Sequence, residues 1–202
     1  MQLDRRDAAQ SNALILVNRQ LNSLKGGAAP AQDDLNKAIT EAPASTRIQI
    51  FNQAEQTRRV NRIDNPHLMA LTIPVFRALI AADTNDQYHR NHGSLGWALK
   101  DQPNAGLAEW QAASDELTTA IGIRDRRRVS GWKLYEANRA LCNIHLLDGL
   151  PPGDRKIPSL TALIRQDLAA AETDNYARPM VSAVAGQPPP NPDIAHWRQL
   201  NP

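Results

Sequence analysis

The chain has 202 residues, enough for one domain, or a domain with a tail, and for a real hydrophobic core. Hydrophobic residues make up 42% but aromatic ones only 4%, which favours packed helices of Leu, Ile and Ala over a β-sandwich. The formal net charge of +2 gives no global case for a nucleic-acid or membrane-surface protein.

Leu14, Val17, Leu21 and Leu24 recur at helical spacing, and Gly26-Gly27 is expected to end that helix. Pro30 can open the next one, which carries Leu35, Ala38 and Ile39 and stops before Pro43. Ser45 is a fair N-cap for a third helix with Ile48, Phe51 and Ala54, running into Arg58, Arg59 and Arg62. After the Asn65-Pro66 break, Leu68, Leu71, Val75 and Leu79 mark a fourth, kinked or delayed by Pro74. Leu95 and Leu99 share a face, Asp101 to Gly106 is a turn, and Trp110, Ala113, Leu117, Ala120 and Ile121 make a long amphipathic helix. Trp132 to Leu147 is another, closed by Asp148-Gly149. Ser159 caps the last, whose face holds Leu160, Leu163, Ile164, Leu168 and Ala171. No segment alternates with period two, so the expected fold class is all-α, antiparallel helices on short loops.

The character changes after Tyr176. The stretch VSAVAGQPPPNPDIAHWRQLNP holds five prolines and little helical periodicity, so residues 177–202 are expected to be an extended or disordered Pro-rich tail on a helical domain of residues 1–176. Ile194 and Trp197 are its only large apolar residues and would anchor it if it docks.

The segment GSLGWALKD followed by ELTTAIGI resembles a tetratricopeptide repeat, with Leu95-Gly96 and Leu99 on a first helix and Ala113, Leu117 and Ala120 on a second. The resemblance covers about 88–123, and 132–172 more loosely. The second unit lacks the Leu-Gly pair, and Gly96 to Ala140 is 44 residues rather than the usual repeat length of about 34. What the resemblance implies is a short right-handed solenoid of stacked helix pairs. Its first helices would line a concave groove for a protein or peptide. Tyr88, Asn91, Trp132, Tyr135, Asn138 and Arg139 are the candidate groove residues, offering stacking area and amides if they are exposed.

RDRRR places Arg124, Arg126, Arg127 and Arg128 within five residues, offset only by Asp125. At a helix C-terminus such cations complement the dipole; as an exposed patch they would dock an acidic partner. The same patch supports a second-rank alternative, an anion- or nucleic-acid-binding helical protein. The sparse aromatics and near-neutral charge argue against nucleic acid.

The pairing of His92-Gly93 with Cys142 resembles that of caspase-like proteases and defines a competing class, a cysteine hydrolase. Those enzymes place each residue after a buried strand, whereas Cys142 lies in the helical pattern YEANRALCNIH, the setting of a buried inert thiol. His89, His92 and His145 lack acidic or Cys ligands at metal spacing, Asp33-Asp34 and Asp115-Glu116 read as solvated faces, and Gly26-Gly27 lacks a following Lys-Ser/Thr for phosphate. Neither metal nor cofactor is expected.

Cys142 is the only cysteine, so no internal disulfide can form. The apolar stretch near the N-terminus is too short for a secretion signal, and no run reaches the roughly 20 residues of a membrane span. The expectation is a soluble, cytoplasmic, non-enzymatic adaptor that binds another protein or peptide and not a membrane, with self-association left open.

Overall fold

A computed structural model describes residues 2–25 and 27–201. All regular structure among them is helical, with no strand. The chain divides into two compact units, Met1–Asn104 and Ala105–Pro202. The division thus falls inside the first expected repeat, 88–123, and not at residue 176.

The first unit holds α1 (Gln2–Leu21), α2 (Gln32–Glu41), α3 (Ala44–Asn61), α4 (Pro66–Ala70), α5 (Ile73–Ala81) and α6 (His89–Asp101). Its central element is α5, packed against α1, α2, α3 and α6. The sequence IPVFRALIA explains this: Ile73, Val75, Phe76, Ala78 and Leu79 are buried around nearly the whole circumference. A helix apolar on most sides must be surrounded. Pro74 splits the expected fourth helix by sitting in the first turn of α5, where its missing N–H is not needed. α1 buries Ala13, Val17 and Leu21, so the face turns one position from the expected one, and Leu24 is exposed. Gly26, the other half of its expected stop, lies outside the described residues. In α3 the cap is Pro43 and not Ser45, and Ile48 faces outward while Ile50 is buried. Phe51 meets Phe76 of α5 with ring centroids 6.1 Å apart.

The second unit holds α7 (Leu107–Arg126), α8 (Leu134–Asp148), α9 (Ile157–Glu172), α10 (Arg178–Val181) and α11 (Pro192–Leu200). α8 packs against α7 and α9, and α11 lies on α8. The Glu109 carboxylate accepts from the Gly106 N–H at 2.9 Å and so holds the start of α7. Its far end closes through αL backbone. Arg128 has φ of 54°, its N–H donates to the Asp125 carbonyl, and the Val129 N–H reaches back to that of Arg124. That pair of bonds is a Schellman closure with arginine at the position where glycine is usual. Where α8 ends, a Cβ on Gly149 would come within 2.7 Å of the Leu107 side chain, so the approach to the start of α7 requires glycine there or a shift of Leu107.

The C-terminal segment corrects the expectation of an extended tail. Asn191 caps α11 by accepting from the N–H groups of Asp193 and Ile194, with Pro192 in the first turn. Ile194 and Trp197 then join Ala137, Ala140, Leu141 and Ile144 of α8 and Ile164 and Leu168 of α9 in one core cluster. Arg198 adds an ion pair to Glu172 at 2.7 Å, and Ser182 donates to the same carboxylate. The triple proline 188–190 is a connector to a helix that the second unit needs for its core.

Candidate functional site

The first unit carries a groove of about 440 Å³ lined by α3, the end of α5, residues 82–88 and the start of α6. One wall is apolar: Ile48 and Phe51 from α3, Leu79 from α5, and Tyr88 just before α6. Arg47 and Arg90 bring guanidinium groups to the same space, and Asn52 and Asn91 bring amides. The Arg90 guanidinium lies 4.8 Å from the Phe51 ring centroid, a cation–π contact that keeps the charge at the apolar wall. The Arg47 guanidinium donates to the Thr40 carbonyl at 3.4 Å.

Asp83 sets the rim. Its carboxylate accepts from the N–H groups of Gln87 and Tyr88, both at 2.8 Å, and Asp86, just before them, takes a left-handed φ of 47°. Asp tolerates αL and bonds nearby backbone, so this short polar loop holds its shape without apolar packing. It leaves Tyr88 and Ile48 48% and 52% exposed, two large apolar side chains standing in water at one groove.

Of the residues singled out from the sequence, Tyr88 and Asn91 belong to this groove, although Asn91 is itself buried. The remaining groove candidates, Trp132, Tyr135, Asn138 and Arg139, are in the second unit and do not form an exposed surface. Tyr135 is 1% exposed, Asn138 donates to the Leu134 carbonyl of its own helix, and Arg139 is buried. Arg139 makes two bonds to Asp167 of α9, at 2.7 and 2.9 Å, and a third to the Thr118 hydroxyl of α7. It therefore ties three helices together inside the unit. Burial pushes the Asp167 carboxyl above its ordinary value, against the pull of Arg139. Trp132 is partly exposed but precedes α8, at φ of 62°, with its ring stacked on Tyr135.

The arginine cluster also divides. Arg124 is 1% exposed and grips Glu136 of α8 through two bonds of 2.6 and 2.8 Å, with further bonds to Asp125 and the Trp132 carbonyl. Burial opposes its charge, but the bonds to Glu136 and Asp125 outweigh that, so its proton is held more tightly than usual. Glu136 shows the mirror balance: burial raises its pKa, and the bonds from Arg124 and Lys133 bring it below the ordinary value. Arg124 is thus a clamp between α7 and α8, and the expected patch reduces to Arg126, Arg127 and Arg128, all exposed. Arg58, from the arginine run at the end of α3, is buried in the first unit, with its guanidinium on Glu55 and over the Trp97 ring.

Cys142 is fully buried in the middle of α8, and His92 belongs to α6 in the other unit. His145 stacks on Trp110 at 4.4 Å and faces the Asp193 carboxylate at 3.5 Å. Among the described residues no three His, Cys, Asp or Glu side chains gather as a metal site, and no helix is long and apolar enough to cross a membrane.

Arg47, Ile48, Phe51 and Arg90 had no signal as a group in the sequence, because α3 and α6 contribute them from positions about forty residues apart. The one available hint was Ile48, an apolar residue two positions before the buried Ile50 and so off its helical face. Comparison with known proteins yields no match to a family, to a curated protein or to a solved structure.

Proposed function

We propose that this chain is a non-enzymatic protein-interaction module, and that the groove of the first unit takes an acidic segment of another protein anchored by an apolar side chain. The observation that carries this is the composition of the groove: an apolar wall of Ile48, Phe51, Leu79 and Tyr88 beside the guanidiniums of Arg47 and Arg90. Exposed Ile and Tyr beside Arg is the residue mixture of binding hot spots, and fixed guanidiniums select carboxylates by charge. The only lining carboxylate, Asp83, is engaged by two backbone N–H groups, and the two guanidiniums outnumber it. A space of about 440 Å³ accommodates two or three side chains of an extended segment.

The tetratricopeptide-like reading belongs to the same proposal. What supports it is the run of α7, α8 and α9, long helices on short loops with α8 packed against both neighbours. What supports a non-enzymatic role is the setting of Cys142, the sole thiol, within a buried helix. A random peptide library displayed on phage and selected on the full chain tests the reading. Selected peptides should pair a large apolar residue with Asp or Glu. Affinity should fall about tenfold in Arg47→Gln/Arg90→Gln, the loss of one to two charge-assisted bonds. Enrichment of neutral or basic peptides, or binding indifferent to Ile48→Glu, would overturn it.

A further inference from the structure

The segment 127–133 that joins α7 to α8 carries a feature independent of the groove. Ser130 is exposed, and so is every residue from Asp125 to Trp132. Three arginines precede the serine, with Arg128 two positions and Arg127 three positions before it. A protein kinase whose peptide cleft is lined with carboxylates selects a serine by pairing guanidiniums at those two positions. The one buried arginine of the cluster, Arg124, stands outside that window.

The backbone supplies the second observation. Arg128, Gly131 and Trp132 all have positive φ, at 54°, 80° and 62°. An arginine and a tryptophan held in the left-handed region leave the turn strained, so straightening it into a kinase cleft releases strain. The anchors flank the window. Arg124 holds the Trp132 carbonyl at 3.2 Å, and the Lys133 N–H meets Asp174 at 3.5 Å. Between them, the closing bonds from the N–H groups of Arg127, Arg128 and Val129 must open.

We propose that Ser130 is a phosphorylation site for an arginine-directed serine kinase, and that the phosphate switches the charge of this exposed turn. The Ser130 hydroxyl oxygen attacks the γ-phosphorus of a nucleoside triphosphate and forms the phosphoester. The bond from that phosphorus to the β,γ-bridging oxygen breaks, the nucleoside diphosphate leaves with the electron pair, and the hydroxyl proton passes to the kinase's base. Before transfer the exposed charges are three guanidiniums against the Asp125 carboxylate. The phosphate adds roughly −1.5 to −2 at neutral pH and brings the turn close to neutrality. An acidic surface attracted to the unmodified turn is then no longer attracted.

The test incubates the full chain with a purified arginine-directed serine kinase and ATP, and locates phosphate by fragment mass spectrometry. One phosphate on Ser130 is expected. It should be absent in Ser130→Ala, and formed roughly tenfold more slowly or worse in Arg127→Gln/Arg128→Gln, through lost charge-assisted pairing. The phosphorylated chain should leave a cation-exchange column at lower salt. Phosphate at another residue, or transfer only after the chain is unfolded in urea, overturns the site. An unchanged elution position overturns the switch. Chain purified from its native cells should yield the Ser130 phosphopeptide; a stoichiometrically unmodified Ser130 under every growth condition tried would count against a role in the cell.

Discussion

Replacing Arg124 by Met should be among the most damaging single changes in the second unit. Arg124 is 1% exposed and Glu136 4%, so the substitution leaves a buried carboxylate whose one remaining ionic partner is Lys133, at 3.0 Å. Stripping a buried pair of one partner costs roughly 3–5 kcal/mol. Lys133 retains part of the attraction, while the Trp132 carbonyl loses a donor worth about 1 kcal/mol. The expected net loss is about 3–4 kcal/mol. The double variant Arg124→Met/Glu136→Leu removes both charges and keeps apolar volume, so it should cost no more than about 1 kcal/mol, about 2–3 kcal/mol less than the single variant. Urea titrations followed by far-UV circular dichroism measure this directly, with the slope on denaturant unchanged if only stability moves. A single variant that costs under about 1 kcal/mol, or a double variant as unstable as the single, would refute the clamp.

The pH dependence should carry the same signature. Glu136 is held below its ordinary value of 4.5, so its contribution is complete above that value and is lost as pH falls through the lower folded one. Asp167 is raised above 3.8, so the folded state binds its proton first and its contribution shrinks as pH rises through that window. Glu136→Gln should flatten the acid limb of a stability-against-pH curve. Arg128→Gly should stabilise by about 1 kcal/mol, because glycine adopts the left-handed φ of 54° without a Cβ clash, and thermal melts will show it. Trp197→Ala should destabilise by roughly 3–5 kcal/mol, since the indole is 5% exposed in the core; a disordered tail would show no change. Cys142 should resist a thiol reagent in the native chain and react on unfolding, and fast native reaction would revive the hydrolase reading.

By itself the sequence determined the class of structure and much of each helix's inward face. Spacing of three and four along one segment is a local property, and it placed Leu35, Ala38 and Ile39 or Ala113, Leu117 and Ala120 correctly. Breaks were legible where a proline or Asp-Gly pair enforces them, as at Pro66 and Gly149. The reading of surface against interior failed for charged and polar residues. Arg124, Arg139 and Asn138 carry the residue types of a binding face, but whether a guanidinium meets water or a carboxylate depends on a partner twelve or twenty-eight positions away. The Pro-rich tail misled for a related reason. Ile194 and Trp197 give α11 little helical signal, and the helix holds because α8 and α9 offer a core that removes both side chains from water. Apart from Tyr88 and Asn91, the groove belonged to tertiary structure: α3, α5 and α6 each contribute a fragment of it, and only their packing brings Arg47, Ile48, Tyr88 and Arg90 around one space.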